Sequence, residues 1–262
     1  MESAVSYWLK ELQDFIQFSG RFDANIPRAI VGASKADIDR IEELAKLQIP
    51  PEYRAFLMLM GRTPPRALGN FLTNERYGVD AVVDYYSEPS ARFHDAVFLW
   101  SFEIDSTYEF FISATTVPVI HIPHPILQLH WNFDLDTEEY RGVPGLTKVD
   151  ESLLHYLYKN FFEQVRYPMF QHTIEARQLK KSAPGQSQNL TNHLQVVDSL
   201  AARFGFTKVP YTNSLELFYD RPNACLLYYP NENAPGRLLA SGQDKDELTR
   251  ICKIFCNTLD MQ

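Results

Sequence analysis

The stretch GASKADIDRIEELAKLQIPPEYRAFLMLMGR (residues 32–62) decides the fold. Ser34 is a natural N-cap, and Asp37 three residues later stands at the positive end of the helix that follows. Ile38, Ile41, Leu44 and Ala45 then repeat at helical spacing and mark one apolar face. Pro50 and Pro51 break that helix, and Pro51 suits the first turn of the next. Tyr53, Phe56, Leu57 and Met60 line the inner side of this second helix, and Gly61 is placed to end it. Ile41, Phe56 and Leu57 are expected in the core, together with Trp100 further on.

Upstream, Val5, Trp8, Leu9, Leu12, Phe15 and Ile16 define another amphipathic helix, with Gly20 as its stop. Downstream of Gly61 the period shortens. Ala96 to Trp100, Glu109 to Ser113, Val117 to Ile122 and Leu127 to Phe133 are short apolar or alternating runs with polar or proline-bearing segments between them. Such close spacing predicts an antiparallel sheet rather than crossover units. A further helix is expected from about Asp150, with Leu154, Leu157, Tyr158, Phe161 and Val165 on one side. The segment from Gln178 to Asn189 is poor in apolar residues and reads as a linker. Beyond it Leu190, Leu194, Val197, Leu200 and Phe204 mark a helix. FTKV, SLELFY, ACLLYY and RLLAS read as strands, and Asp244 to Leu259 as a closing helix. The expected class is α+β: a mainly antiparallel sheet with flanking helices over residues 1–177, a linker at 178–189, and a smaller α+β unit over 190–262.

The segment from Gly32 to Arg62 resembles the N-terminal signature of the SUKH superfamily. The residues that carry the likeness are Ala33-Ser34, Ile38, Ile41-Glu42, Leu44, Ile49-Pro50, Tyr53, Phe56-Leu57 and Gly61. The strands that follow and the helix near Asp150 to Val165 extend it over roughly residues 25–166. Two departures stand out. Met60-Gly61-Arg62 replaces the Asn-Gly that many members carry, and the unit from Leu190 onward has no counterpart. The resemblance implies a cytoplasmic immunity protein that binds and neutralises a cognate bacterial toxin by contact, without catalysis. A regulatory scaffold of the kind known from the yeast member is the alternative it implies.

Composition limits the function from another side. The 262 residues carry 33 acidic and 25 basic side chains, a formal net charge of -8. That balance disfavours nucleic acid and suits a basic partner. The chain holds 18 Phe, 14 Tyr and 3 Trp, rings that build cores and anchor interfaces. Cys225, Cys252 and Cys256 make no disulfide framework, and read as small buried hydrophobes. The start of the chain lacks the basic and apolar regions of a secretory signal, and no apolar run reaches about 18 residues. A cytoplasmic protein without a membrane span is expected.

A search for chemistry finds no hydrolase elbow, phosphate loop, dinucleotide fingerprint or zinc-protease helix. His121, His124 and His130 fall within ten residues. His121 and His124 with Asp134 admit a metal-dependent hydrolase as a second class of function, but the histidine spacing matches no recognised ligand set, and no catalytic residue, metal or cofactor is expected. What remains is an acidic-aromatic surface. Asp80, Asp84, Tyr85 and Tyr86, in a segment read as irregular up to Glu88, and Asp134 and Asp136, alternating along a strand, are the candidate residues for docking a protein partner.

Overall fold

The computed structural model describes residues 2–62, 75–87, 93–103, 107–115, 122–130, 133–134, 139–140, 145–177, 187–213, 215–230 and 236–259. The fold is α+β, with two antiparallel sheets and helices around them. Contacts divide the chain into two compact units, Met1–Leu157 and Tyr158–Gln262.

The N-terminal unit opens with α1 (Glu2–Gly20), α2 (Asn25–Ala29), α3 (Lys35–Ala45) and α4 (Pro51–Met60). The signature stretch folds as its residues dictate. Ser34 Oγ accepts the Asp37 N–H, and the Asp37 side chain accepts the Ser34 N–H, completing a capping box. Pro51 occupies the first turn of α4, and the Gly61 N–H closes it on the Leu57 carbonyl. Trp8, Leu12, Phe15, Ile38, Ile41, Tyr53, Phe56, Leu57 and Met60 are buried. The side chain of Trp100 lies outside the described residues. Gly32 is required by a close approach, since a Cβ there would sit 1.9 Å from the Met58 carbonyl oxygen.

Strands β1 (Glu75–Tyr77), β2 (Ala96–Glu103), β3 (Thr107–Ser113), β4 (Ile126–His130) and, later in the chain, Gly145–Asp150 form one sheet. Between β4 and that last strand, β5 (Phe133–Asp134) pairs with β6 (Glu139–Tyr140), so Gly145–Asp150 is β7. The order across the sheet is β1-β2-β3-β4-β7, antiparallel throughout. Of the expected strand from Val117 to Ile122, residues 117–121 lie outside the described residues.

Two expectations are corrected here. The segment read as irregular from Asp80 is a helix, α5 (Gly78–Ser87), although Glu88 lies outside the described residues. Val79, Val82 and Tyr86 repeat at helical spacing and are buried, which is what holds it helical. Gly78, with φ of 80°, starts it in a left-handed conformation. The helix expected from Asp150 to Val165 is α6 (Leu153–Phe161), continued by a π-helical turn (Phe162–Arg166) and a 3-10 turn (Tyr167–Met169).

The C-terminal unit has α7 (Ser187–Arg203), β9 (Thr207–Lys208), β10 (Leu217–Arg221), β11 (Ala224–Tyr229), β12 (Arg237–Gly242) and α8 (Lys245–Leu259). Its sheet also takes β8 (His172–Arg177), in the order β8-β12-β11-β10-β9. The chain therefore joins this unit ahead of the expected linker, and the register Leu238↔Ala176, Ala240↔Ile174 shows why. Ala176 and Ile174 face the core that Leu226, Leu238, Ile251 and Phe255 build, so β8 is needed to complete it. Residues 178–186 of the expected linker lie outside the described residues, and Ser187 already begins α7.

Candidate functional site

At the end of α4 one arginine draws three helices together. Arg62 donates from Nη2 to Asp37 Oδ1 at 2.6 Å, at the start of α3, and from Nη1 to Asp80 Oδ1 at 3.0 Å, at the start of α5. The Val79 N–H donates to the Gly61 carbonyl at 2.9 Å, so the backbone follows the same junction. The Arg62 guanidinium, then the Ser34 hydroxyl and N–H, hold the Asp37 carboxyl down at about 2. Asp80 keeps 82% of its side-chain surface exposed while making this pair, and Asp84 is exposed one turn further along α5. Two exposed apolar residues are linked to the junction through the backbone. Val31, whose carbonyl accepts the Arg62 N–H, is 51% exposed, and Met58, whose carbonyl abuts Gly32, is 43% exposed.

Of the six residues expected to dock a partner, the structure brings Asp80 and Asp84 together on one helix surface. Tyr85 and Tyr86 are corrected to core residues. Tyr85 stacks on Phe98 with centroids 4.1 Å apart, and Tyr86 Oη accepts the Phe98 N–H at 3.0 Å. Once the segment is helical, a half-turn separates its aspartates from its tyrosines, and only the aspartates face water. Asp134 lies in β5 with its side chain outside the described residues, and Asp136 lies outside them altogether.

The histidines form a different picture. His121 and the His130 side chain lie outside the described residues. His124 is buried, with Nδ1 2.9 Å from the Ser113 carbonyl, and burial lowers its pKa. Cys225 and Cys252 are buried and burial pushes each thiol up to about 12, so neither is a thiolate near neutral pH.

Sequence reasoning missed several buried polar groups. Glu52 is fully buried, and its Oε2 accepts the His124 N–H at 3.1 Å while Oε1 accepts the Leu154 N–H at 3.2 Å. Asp150 Oδ1 lies 2.6 Å from His155 Nδ1, and both side chains are almost wholly buried. In the C-terminal unit Arg166 donates to Asp220 at 2.8 Å, and Tyr229 Oη donates to Glu163 at 2.7 Å. Asp150 and His155 are five residues apart, whereas the partners of Glu52, Arg166 and Glu163 come from distant parts of the chain. The one available signal is Glu52 itself, an acid in the first turn of a largely apolar helix.

No protein-family model, curated protein or solved structure matches this chain.

Proposed function

We propose that the protein is an immunity protein of the SUKH type, which binds a cognate toxin in the cytoplasm and blocks it by contact. The observation that carries this reading is the surface at the junction of α3, α4 and α5. Exposed Asp80 and Asp84 stand one helical turn apart, Asp80 is paired with Arg62, and the exposed apolar residues Val31 and Met58 flank the same junction through the backbone, Val31 at Arg62 and Met58 at Gly32. Apolar anchors beside an arginine and carboxylates are the mixture that binding surfaces use. The net charge of -8 adds long-range attraction for a basic partner. The resemblance of residues 32–62 to the family signature supplies the toxin as the kind of partner.

The test is coexpression with the product of the adjacent toxin gene, scored by growth rescue and by binding of the purified proteins. Reversing Asp80 and Asp84 together to lysine should weaken the complex at least about tenfold, with an unchanged circular dichroism spectrum. Association should slow as salt rises. Full rescue by the double variant with salt-independent association would remove this surface from the proposal. Binding to a native protein other than a toxin would favour a regulatory scaffold instead.

A further inference from the structure

We propose that a cationic protein partner is taken up by the N-terminal unit alone, at the surface that α5 presents, and that the C-terminal unit exerts no attraction on it. The toxin as partner rests on the reading above; which unit attracts it follows from the charge of each.

The charge of the chain is divided unevenly. Residues 1–157 hold 23 of the 33 acidic side chains and 13 of the 25 basic ones, a formal net charge of -10. Residues 158–262 hold the other 10 acids and 12 bases, a net of +2. The whole-chain value of -8 therefore describes neither unit. Burial does not account for the gap. Setting aside buried Glu52 and Asp150 still leaves 21 acids against 13 bases in the first unit. In the second, buried Arg166 is cancelled by its partner Asp220, so the excess of two bases stands.

Exposure brings the excess to the surface. α5 carries Asp80 and Asp84, both exposed, and no basic residue. On α3, which packs against α5, exposed Asp39 and Glu43 are matched by exposed Lys35 and Arg40. Arg62 divides its guanidinium between Asp37 and Asp80, which leaves that junction net negative. In the C-terminal unit the balance is reversed. On α8, Lys245, Arg250 and Lys253 are exposed against Asp246, and Glu247 is paired with Arg221.

Screening makes the unit, rather than the chain, the thing a partner senses. At physiological salt the field of an exposed charge fades over about 8 Å. Compact units of these lengths have radii of gyration of roughly 13–15 Å. A lysine or arginine side chain approaching one unit thus responds to the charge of that unit's own surface. Over α5 it is drawn in, and over α8 it meets other bases.

A peptide of about ten lysines serves as the probe, added to the full chain at low salt while the amide resonances are followed. Shifts should fall in residues 1–157, be largest around Asp80 and Asp84, and vanish by about 300 mM salt. Two full-chain variants separate unit charge from whole-chain charge. Asp80→Asn with Asp84→Asn should weaken peptide binding at least about threefold. Lys245→Gln, Arg250→Gln and Lys253→Gln together make the chain more negative, yet should change peptide affinity by less than about twofold. Should either variant fail to fold, the shift map of the wild-type chain decides alone. Shifts spread evenly over both units would overturn the inference. So would a tightening by the α8 variant as large as the weakening by the α5 variant. The peptide map stands apart from growth rescue: absent rescue with shifts confined to residues 1–157 sinks the immunity reading and leaves this inference standing.

Discussion

The two ends of α4 treat a carboxylate in opposite ways. At its start Glu52 is sealed from water, accepts backbone N–H groups and lies near Asp150, and burial pushes its carboxyl up to about 7. Beyond its end Asp37 meets water and the Arg62 guanidinium, and its carboxyl falls to about 2. Both accept hydrogen bonds from backbone N–H groups, so those bonds do not decide the outcome. Access to water and a formal positive charge do. A carboxylate stripped of both keeps its hydrogen bonds and still loses the contest with desolvation. The exposed end offers fixed charge to a partner, and the buried end offers a group that titrates near neutrality.

The comparison can be broken first in the middle, where both ends depend on the same buried stripe. Phe56→Ala should cost about 3–5 kcal/mol, read from the denaturant midpoint. An unchanged midpoint would mean that α4 is not seated by Phe56. Next comes the buried end. Glu52→Gln should cost about 1–3 kcal/mol at pH 5.5, because the carboxamide turns an NH2 donor toward a backbone N–H that a carboxyl oxygen accepts. The deficit should narrow as pH rises from the ordinary glutamate value toward 7 and level off above it, since the wild type alone then has a charge to bury. A deficit that widens with pH would reverse the assigned sign. At the exposed end, Ser34→Ala should cost about 1 kcal/mol through loss of the cap. There the pH effect runs the other way. Stability contributed by Asp37 is present above its ordinary value of 3.8 and lost as pH falls toward 2, and added salt should weaken it. The smallest effect is expected at Tyr53, whose fully buried hydroxyl has no hydrogen-bond partner among the described residues. Tyr53→Phe should shift stability by less than about 0.5 kcal/mol, or raise it. A large loss would reveal a partner for that hydroxyl.

The helices of residues 32–62 were legible because a cap, two prolines and a glycine punctuate apolar stripes, and these are local signals. β10, β11 and β12 were legible from short apolar runs for the same reason. α5 was not legible because Asp80 and Asp84 interrupt a short segment whose buried spacing is carried by Val79, Val82 and Tyr86 alone. β8 was missed because only Ile174 and Ala176 mark its inner face and its partner β12 follows 60 residues later in the chain. The candidate surface was half legible. Asp80 and Asp84 could be named as exposed acids, but which neighbours shared their side depended on knowing that the segment is helical. Glu52 left only a weak trace, an acid among apolar neighbours, and the burial of the Asp150–His155 pair left none, since burial of a polar group is a property of the tertiary fold.

The early entry of β8 into the second sheet bears on how the chain can be cut. A fragment starting at the apolar-poor segment, near Leu190, would carry β12 without the strand that pairs along it from His172 to Arg177. Its open edge would present unpaired N–H and C=O groups together with the uncovered apolar side chains of Leu238 and Ala240. Such an edge templates other chains, so this fragment should self-associate, whereas one beginning at Tyr158 should stay dispersed. A synthetic peptide spanning residues 172–177 should return the shorter fragment to a monomer by adding itself as the missing strand.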